Sequence, residues 1–367
     1  MSNAPGTRRL RDWLCHQALP LWASVGRDPA GGFVECFAPD GKPDLDAPRR
    51  VMVQARQIYV YTHAAMMGLM PDGAAIAQSG FDFLLRHGAP DGLACGFVHR
   101  LDRRGRVVDD ARDLYDHAFL LMGFSWFYRT SADPRAKEAI DRLIDVIAGL
   151  RHKSGRGYRE NSKDTPPRRQ NPHMHLLEAF LAAHQATGRQ DMLERAGEIV
   201  SLFQDHFFRA GVLGEFFKED LTPALPPAGD IAEPGHHHEW IWLLGRFSRA
   251  AGRDMTGVMR ALYDFAARHG VEPVSGLLYN EIWADGRVKD AAKRLWPQTE
   301  QLKAQCALGM PADEAMLEGI FRYFLEPAPA GAWMDRLDAR NVPLKASIPA
   351  SSLYHLFGAF AEYDQMP

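Results

Sequence analysis

Residues 31–37 read GGFVECF, and this run of glycine followed by aromatic residues returns five more times along the chain. The other copies are GLACGF at 92–97, GRGY at 155–158, GVLGEFF at 211–217, GLLYNEIW at 276–283 and GAWM at 331–334. Polar, turn-rich segments containing Asp and Gly follow most of them, which is typical of short hairpins. Because the copies recur at a spacing of roughly 60 residues, the repeat predicts a fold assembled from six similar units.

Helical patterns fall into two alternating sets around these copies. One set, which follows the six copies, is expected at 51–69, 112–129, 171–187, 236–251, 293–308 and 348–364. The other set is expected at 7–24, 73–87, 133–150, 190–207, 254–270 and 311–326. The first set is rich in aromatic residues, histidine and small residues, whereas the second carries most of the charge. A helix that is apolar on most sides is a buried helix, so the first set is predicted to be inner and the second outer.

Six inner and six outer helices predict an all-α fold, an (α/α)6 barrel with short β-hairpin loops at one rim. We expect one catalytic domain over residues 1–367. Helix pairs that cannot bury their faces alone must stack on their neighbours, and an open solenoid is the alternative to a closed ring. The count of six and the aromatic-rich inner helices favour closure.

Composition narrows the function classes. The chain has 367 residues, a formal net charge of -3 and 46% hydrophobic residues, so it has no basic excess for nucleic acid. The four cysteines are far apart and form no C-x-x-C pair, which argues against a disulfide framework or a cysteine zinc site and favours a reducing cytoplasm. Residues 1–13 contain no signal-peptide core, and no apolar run is long enough to span a membrane.

Unusual polar and aromatic residues lie on the predicted inner helices. They are Arg56, Tyr59, His117, Asn171, His173, His175, His236, Glu239, Trp240, Trp296, Gln298, Glu300 and His355. Asn171 followed by Pro172 fits the start of a helix. His236 and Glu239 are three apart and share a helix face, and a histidine beside a carboxylate is an oriented acid–base group.

Structural interpretations of the same residues stand beside the functional ones. His117 fits a satisfied core histidine, and Arg56 fits a buried ion-pair partner of Asp116 or Glu239. The aromatic residues fit either a core or a sugar-facing surface. The three adjacent histidines at 236–238 are able to bind a metal, but they cannot all point inward, and no H-E-x-x-H pattern is present. We therefore expect no required metal ion.

Four segments resemble the N-acylglucosamine 2-epimerase superfamily, which includes N-acylglucosamine, cellobiose and mannose 2-epimerases and mannose-type aldose–ketose isomerases. The segments are RQIY at 56–59, NPHMHLLEA at 171–179, GHHHEW at 235–240 and Tyr354-His355. The resemblance covers nearly the whole chain and rests on the order and spacing of these segments together. It implies an (α/α)6 barrel and chemistry at C2 of a hexose.

The resemblance also implies roles for individual residues. His236 and His355 match a catalytic pair of histidines, and Arg56, His175 and Glu239 match supporting positions. The expected substrate-binding residues are Tyr59, His117, Asn171, His173, Trp240, Trp296, Gln298 and Glu300. Removal of the C2 proton from an open-chain sugar leaves an enediolate, and histidine suits such proton transfers because its pKa lies near neutrality. Arg56 is a permanent cation for O1 or O2.

The identity of the product and of the sugar stays open at this stage. An N-acylglucosamine 2-epimerase-like reaction is the leading hypothesis, and interconversion of mannose and fructose, or of their 6-phosphates, is the alternative. Arg49, Arg50, Arg168 and Arg169 leave room for a phosphate group. A glycoside hydrolase or lyase on the same barrel and a sugar-binding module are more distant alternatives. No nucleotide signature is present, no cofactor is expected, and a homodimer is one arrangement that the sequence leaves open.

Overall fold

The computed structural model describes residues 5–164, 166–311 and 313–364. Predictions that fall on residues 1–4, 165, 312 and 365–367, including one residue of the last predicted outer helix, lie outside this description. Within it, twelve helices follow one another. They are α1 (Pro5–Trp13, the π-helical Leu14–Ala18 and Leu19–Ser24), α2 (Val51–Met66), α3 (Gly73–His87), α4 (Leu114–Ser131), α5 (Pro134–Gly149), α6 (Gln170–Thr187), α7 (Gln190–Leu202 and the π-helical Phe203–Phe207), α8 (Pro234–Ala251), α9 (Thr256–His269), α10 (Leu295–Ala307), α11 (Glu314–Ile320 and the π-helical Phe321–Leu325) and α12 (Ser352–Tyr363).

The strands are all two or three residues long. They are β1 (Cys36–Phe37), β2 (Arg49–Arg50), β3 (Arg100–Leu101), β4 (Val107–Asp109), β5 (Arg168–Arg169), β6 (Phe208–Arg209), β7 (Val212–Leu213), β8 (Phe216–Phe217), β9 (Ile231–Ala232), β10 (Glu281–Trp283), β11 (Val288–Asp290), β12 (Lys293–Arg294), β13 (Arg336–Leu337) and β14 (Ile348–Pro349). Single 3-10 turns lie at Leu93–Cys95 and Ala228–Asp230.

The even-numbered helices form a closed inner ring. Each of α2, α4, α6, α8, α10 and α12 packs against the next, and α12 packs against α2. These helices are buried on nearly every side, as in VMVQARQIYVYTHAAM of α2. The odd-numbered helices bury one face only. In α5 that face is made of alanine, isoleucine and leucine at helical spacing, which is the pattern of an outer helix.

Short strands tie the rim together at the start of the inner helices. The residues before α2, α6, α8, α10 and α12 pair with the next hairpin around the ring, in the sheets β2–β3, β5–β8, β9–β10, β12–β13 and β14–β1. The residue before α4, Asp113, makes a single bridge to Asn161. Because β14 pairs with β1, the last unit closes on the first, and stacking of Trp22 on Phe37 and Trp333 seals this junction.

One interaction fixes each hairpin to its inner helix and recurs five times. A glutamine or histidine in the second turn of the helix accepts the backbone N–H of the hairpin at 2.7–3.1 Å. The acceptors are Gln54, His117, His173, His237 and Gln298. The glycine of the repeat makes room for them, since an added Cβ at Gly96 would lie 2.7 Å from His117 and one at Gly157 would lie 2.8 Å from His173.

The predicted (α/α)6 barrel, with six inner helices, six outer helices and hairpins at one rim, is confirmed. The helices begin and end within a few residues of the predicted bounds. The expectation of one domain over residues 1–367 stays a prediction. Among the described residues, no helix combines the length and the apolar character that crossing a membrane requires.

Candidate active site

A cavity of about 280 Å³ opens at the rim where the inner helices begin. All six inner helices or the strands before them contribute to its wall. The lining residues are Arg50, Met52, Arg56, Tyr115, Asn171, His175, Glu233, His236, Glu239, Arg294, Trp296, Ser351, Ser352 and His355. At about 30 Å³ per water molecule, this volume holds roughly nine waters, which is the scale of one monosaccharide.

Strand pairing at the rim places equivalent residues of the six helices at one depth. The layer lies two residues beyond each of the five hairpin acceptors and, on α12, six residues beyond the paired Pro349. Its members are Arg56, Phe119, His175, Glu239, Glu300 and His355. We call this layer the floor of the cavity. Its members are 8% exposed or less, so the charges they carry act in a poorly solvated environment.

His236 lies above the floor on α8 and is held by two carboxylates. Its Nδ1 lies 2.9 Å from Glu215 and 3.5 Å from Glu233, and its Nε2 lies 3.3 Å from the side-chain amide of Asn171. Burial alone would lower the pKa of His236, but Glu215 and Glu233 outweigh it and raise the pKa to about 10. His236 is therefore a protonated imidazolium at neutral pH and is suited to act as an acid.

The local sequence explains why Glu215 is free to hold a histidine. In the hairpins before α2 and α6, Glu35 and Glu160 accept hydrogen bonds from the backbone N–H and the Nε of Arg50 and Arg169. At the equivalent position before α8 the chain has Glu233, which offers only its backbone N–H to Glu215, at 3.3 Å. Because position 233 carries no arginine, Glu215 accepts a hydrogen bond from Nδ1 of His236 instead.

His355 belongs to the floor and has the opposite protonation state. Its Nδ1 donates to Glu300 at 2.7 Å, which leaves Nε2 as the nitrogen with a free lone pair. Burial, together with the positive charges of Arg56 and Lys303, lowers the pKa of His355 well below its usual range. A neutral imidazole oriented by a carboxylate is a competent general base. The ring of Trp296 lies between the two histidines, 5.0 Å from His236 and 5.7 Å from His355.

His175 is a second neutral histidine of the floor. Its Nδ1 donates to Glu178 at 3.1 Å, and the same carboxylate accepts from the hydroxyl of Tyr354 at 2.6 Å. Burial lowers the pKa of His175 to about 4. Burial would raise the pKa of Glu178, but the hydrogen bonds of His175 and Tyr354 and the charge of Lys303 lower it to about 2. The ordered pair presents Nε2 of His175 to the cavity.

Arg56 is a permanent cation at the edge of the floor. Its guanidinium donates to the hydroxyl of Tyr115 at 2.8 Å and to the carbonyl of Ser351 at 3.3 Å, and it lies 4.0 Å from the ring of Phe119. The structure does not pair it with Asp116 or Glu239, the two partners considered from the sequence. Asp116 contacts His99 instead, at 2.6 Å. Arg56 therefore lines the cavity, and no carboxylate among the described residues forms an ion pair with it.

Glu239 brings a carboxyl group whose Oε1 is buried without a hydrogen-bond partner in the described part of the chain. This oxygen lies 3.9 Å from Nε2 of His175. Burial and the nearby Glu300 raise the pKa of Glu239 to about 8. At neutral pH the group is therefore a neutral acid that can donate a hydrogen bond to a substrate oxygen.

Among the described residues, three groups of side chains have donor atoms close enough to hold a metal ion; one of them, His99, Asp113 and Asp116, does not line the cavity, and the other two lie at it. These two are Glu215, Glu233 and His236, and Glu239, Glu300 and His355, each within 4.8 Å. Carboxylate and imidazole are donors that several divalent cations accept. In both groups, however, Nδ1 of the histidine is already bonded to a carboxylate. The expectation of a metal-independent site stays a prediction.

Six of the residues singled out in the sequence do not line the cavity. One of them, Glu300, accepts from Nδ1 of His355 and supports it from behind. His117, His173 and Gln298 are the acceptors that fix the hairpins, and both ring nitrogens of each histidine are bonded to backbone groups. Tyr59 packs below the floor against Trp126 and Tyr354. Trp240 donates to Gln170 at 2.7 Å and stacks on Phe203. Helical periodicity reports that these residues are buried, and it does not separate the cavity side from the hairpin side.

Four functional candidates escaped the sequence analysis. Glu215 and Glu178 orient His236 and His175, Tyr115 holds Arg56, and Lys303 forms an ion pair with Glu300 at 2.7 Å. Glu215 sits in a repeat copy, GVLGEFF, where its equivalents Glu35 and Glu160 serve rim ion pairs. The signal that distinguishes it is the missing arginine at position 233.

The arginines expected to leave room for a phosphate have mostly structural partners. Arg49 is fully buried against Asp28, and Arg168 donates to the carbonyls of Glu219 and Arg156. Arg169 pairs with Glu160 and does not line the cavity. Of the four, Arg50 alone lines it, and Arg294 joins it from the strand before α10.

The known proteins that this chain resembles include sugar epimerases and isomerases. The family description for N-acylglucosamine 2-epimerase matches residues 31–359. The mannose-6-phosphate isomerase of Rhizobium meliloti is 33% identical over 97% of this chain and 96% of that protein. The cellobiose 2-epimerase of Dictyoglomus turgidum is 23% identical over 90% of each chain. A crystal structure of a D-mannose isomerase superimposes with a TM-score of 0.87 at 22% identity, covering 100% of both chains.

The barrel and its acid–base cavity thus define an enzyme of the carbohydrate epimerase and isomerase class. Within that class, the chain belongs to the N-acylglucosamine 2-epimerase family.

Proposed function

We propose that the protein is an aldose–ketose isomerase that interconverts a mannose-type hexose and its ketose, with His355 as the base at C2. One observation carries this proposal. Two histidines flank Trp296, and their surroundings push their pKa values in opposite directions, so that one is protonated and the other neutral at the same pH. Pairs of titratable groups separated in this way mark an acid and a base.

The chemistry follows from the positions of the groups. With the sugar in its open form, Nε2 of His355 takes the C2 proton and the electrons move to O1. Arg56 stabilises the negative charge of the enediolate, and His236 gives a proton to O1 as it becomes a hydroxyl group. His355 then returns its proton to C1, and His236, now neutral, takes the proton from O2; the ketose is complete and both histidines have regained their starting states. His175 and the protonated Glu239 line the same cavity, and we assign to them the protonation of the ring oxygen as the sugar opens.

The named relatives support the isomerase over the epimerase. The relative at 33% identity is named a mannose-6-phosphate isomerase, whereas the cellobiose 2-epimerase is 23% identical. A cavity of about 280 Å³ also suits one sugar unit better than two. We therefore propose mannose or mannose 6-phosphate as the aldose.

Two arginines at the rim favour the phosphorylated sugar. Arg50 and Arg294 line the cavity on either side of the α12 N-terminus, where Ser351 and Ser352 also line it. Arg50 forms a close ion pair with Glu35. Arg294 is held less tightly, because the nearest carboxylate oxygen of Asp335 is 3.8 Å from its guanidinium. The Nε of Arg294 is buried without a partner among the described residues. A guanidinium with free donors matches a phosphate group, so we assign the phosphate on C6 of the sugar to this rim.

A second candidate, 2-epimerisation, is favoured by the presence of two histidines across the cavity. If His236 delivers its proton to C2 from the face opposite His355, the same enediolate yields the 2-epimer. The two reactions share every residue up to the enediolate and differ only in the atom that receives the proton.

Proton NMR of the purified protein in D2O with mannose, mannose 6-phosphate, N-acetylmannosamine and cellobiose separates these functions. We expect a ketose from the mannose compounds, with the highest kcat/KM for the phosphate. Arg294→Gln should raise the KM for mannose 6-phosphate by roughly tenfold to a hundredfold, because it removes one or two charge-assisted hydrogen bonds to the phosphate. The KM for mannose should stay unchanged. Arg287→Gln, at an exposed hairpin arginine paired with Asp285, is the matched control. An epimer without ketose would replace the isomerase by the epimerase, and no turnover of any sugar would overturn both.

A further inference from the structure

Lys303 lies beneath the floor, on the side away from the cavity mouth. It is 1% exposed, and its Nζ lies 2.7 Å from Glu300. The ring of Trp242 lies 3.5 Å from the same ammonium group, and Tyr354 lies 5.6 Å away. The described residues thus form a chain of contacts from Trp242 through Lys303 and Glu300 to His355.

Burial of a lysine is costly unless its charge is paired. A hydrocarbon side chain would fill this space without that cost. The position of the ammonium group therefore points to a role of its charge, and the neighbouring charges indicate which role.

Groups on four helices act electrostatically on this lysine or on its neighbours Glu178, Glu300 and His355. From α2 they are Arg56 and the phenol of Tyr59, and from α6 they are His175 and Glu178. From α8 they are His238 and Glu239, and from α12 they are Tyr354 and His355. Burial raises the pKa of Glu300, and Lys303 is the main group that lowers it. With Glu300 ionised, Arg56 and Lys303 balance Glu178 and Glu300, while Glu239, the histidines and the tyrosines are neutral. The floor together with Glu178 and Lys303 therefore carries no net charge.

We propose that Lys303 is a positioning residue for the reaction: its charge holds Glu300 as a carboxylate, and Glu300 in turn holds His355 neutral with its proton on Nδ1. This inference rests on the proposed role of His355 as the base. Without Lys303, the floor together with Glu178 carries one excess negative charge. The Glu300–His355 pair then takes up a proton, because the repulsion between the carboxylates Glu178 and Glu300 in a poorly solvated site is no longer offset by Lys303. The base is lost at a pH at which the unmodified enzyme still has it.

Lys303→Met tests the proposal through the pH dependence of kcat. Activity requires a deprotonated base, so it falls as pH falls through the pKa of that base. In Lys303→Met the midpoint of this acid limb should move to higher pH by at least one unit, a tenfold change in proton affinity. Lys303→Arg, which keeps the charge, should return the midpoint towards that of the unmodified enzyme.

Lys293→Met is the matched control. Lys293 is a second fully buried lysine, paired with Glu272 at 2.8 Å but outside the floor. Its loss should lower stability without moving the acid limb. If Lys303→Met does not fold, Lys303→Gln keeps a donor for Glu300 without the charge, and the same shift is expected. An acid limb that stays in place in a folded Lys303→Met or Lys303→Gln protein would overturn the proposal.

Histidine NMR distinguishes a failure of this inference from a failure of the proposed function. The ring resonances of His355, assigned by comparison with His355→Gln, report its titration without any substrate. If His355 titrates at higher pH in Lys303→Met and yet no sugar is turned over by the unmodified protein, the inference stands and the proposed function falls. If the sugar is turned over and the titration of His355 is unchanged by Lys303→Met, the inference falls alone.

Discussion

Glu215 accepts a hydrogen bond from Nδ1 of His236 at 2.9 Å, across the junction between a hairpin and the inner helix that follows it. The contact exists because the position that carries arginine before α2 and α6 carries Glu233 before α8. Two buried carboxylates beside one imidazole hold it in its charged form. The protonation state of His236, the proposed acid, therefore depends on Glu215 in the hairpin as well as on the helix that carries His236.

Glu215→Gln should shift the alkaline limb of the pH–rate profile to lower pH. His236 acts as an acid, so activity is lost as pH rises through its pKa, which the two carboxylates raise to about 10. Removing one of them lowers that pKa, and the enzyme should lose activity at a lower pH. The measurement is kcat between pH 6 and about pH 10.5.

Glu160→Gln is the control for that experiment. Glu160 occupies the equivalent hairpin position but holds Arg169, so its loss should leave the alkaline limb in place. An identical shift in both variants would mean that Glu215 acts through the rim and not through His236.

Arg56→Lys should lower kcat by roughly 10²–10³, the loss seen when one preorganised donor to a developing oxyanion is removed, with a smaller change in KM. The guanidinium is fixed by Tyr115 and Ser351, and lysine cannot reproduce this forked geometry. Tyr115→Phe keeps the guanidinium and should cost less. Steady-state kinetics of both variants check this, and an unchanged kcat in Arg56→Lys would remove Arg56 from the proposed mechanism.

His173→Gln should retain stability and activity, whereas His173→Ala should lower the free energy of unfolding by about 1–3 kcal/mol. The backbone N–H of Tyr158 donates to Nε2 of His173 at 3.0 Å, and alanine leaves that buried donor without an acceptor. Glutamine already fills the equivalent positions Gln54 and Gln298. Chemical denaturation checks the stabilities. A large loss of kcat in a stable His173→Gln protein would return His173 to the list of substrate-binding candidates.

Arg49→Gln should destabilise the protein by about 3–5 kcal/mol, because it removes one of the two arginines that pair with the buried Asp28 and leaves Arg103 and the backbone N–H of Ala30. Thermal unfolding measures the loss. Arg340→Gln removes an exposed partner of Asp338 and should change stability little. The preference for phosphorylated over free sugar should be the same in both variants. A lowered preference in Arg49→Gln would restore Arg49 as a phosphate ligand.

Treatment with EDTA, followed by removal of the chelator, should leave kcat unchanged. In both candidate metal groups at the cavity Nδ1 of the histidine is bonded to a carboxylate, and the proposed acid must carry a proton where a metal ion would bind. Loss of activity that added Mn²⁺, Mg²⁺ or Zn²⁺ restores would contradict a metal-independent reaction.

Much of the architecture follows from patterns that repeat in the sequence. The glycine–aromatic copies mark the hairpins, and the contrast between aromatic-rich and charged helices separates the inner from the outer layer. His236, His355, His175, Glu239, Arg56, Asn171 and Trp296 all reach the cavity wall, and Glu300 supports His355 from behind. These residues are recognisable in the sequence because burying a polar side chain costs free energy unless it has a partner or a function.

The remaining assignments depend on closure of the ring. His173 and His175 are two residues apart and face different sides of α6, and the sequence alone does not decide which side is the cavity. Glu215, Glu178 and Lys303 gain their roles from partners on other elements, such as His236 for Glu215. Only the strand pairing that aligns the six helices shows which side chains share one layer.

The central claim is that His355 removes the C2 proton while His236 serves as the acid. Loss of the C2–H signal of the aldose in D2O, followed by proton NMR, measures that step directly. For His355→Gln we predict that exchange slows by roughly 10²–10⁴, in a protein that remains folded. Exchange at the rate of the unmodified enzyme in His355→Gln would contradict the account, because another group would then have to be the base.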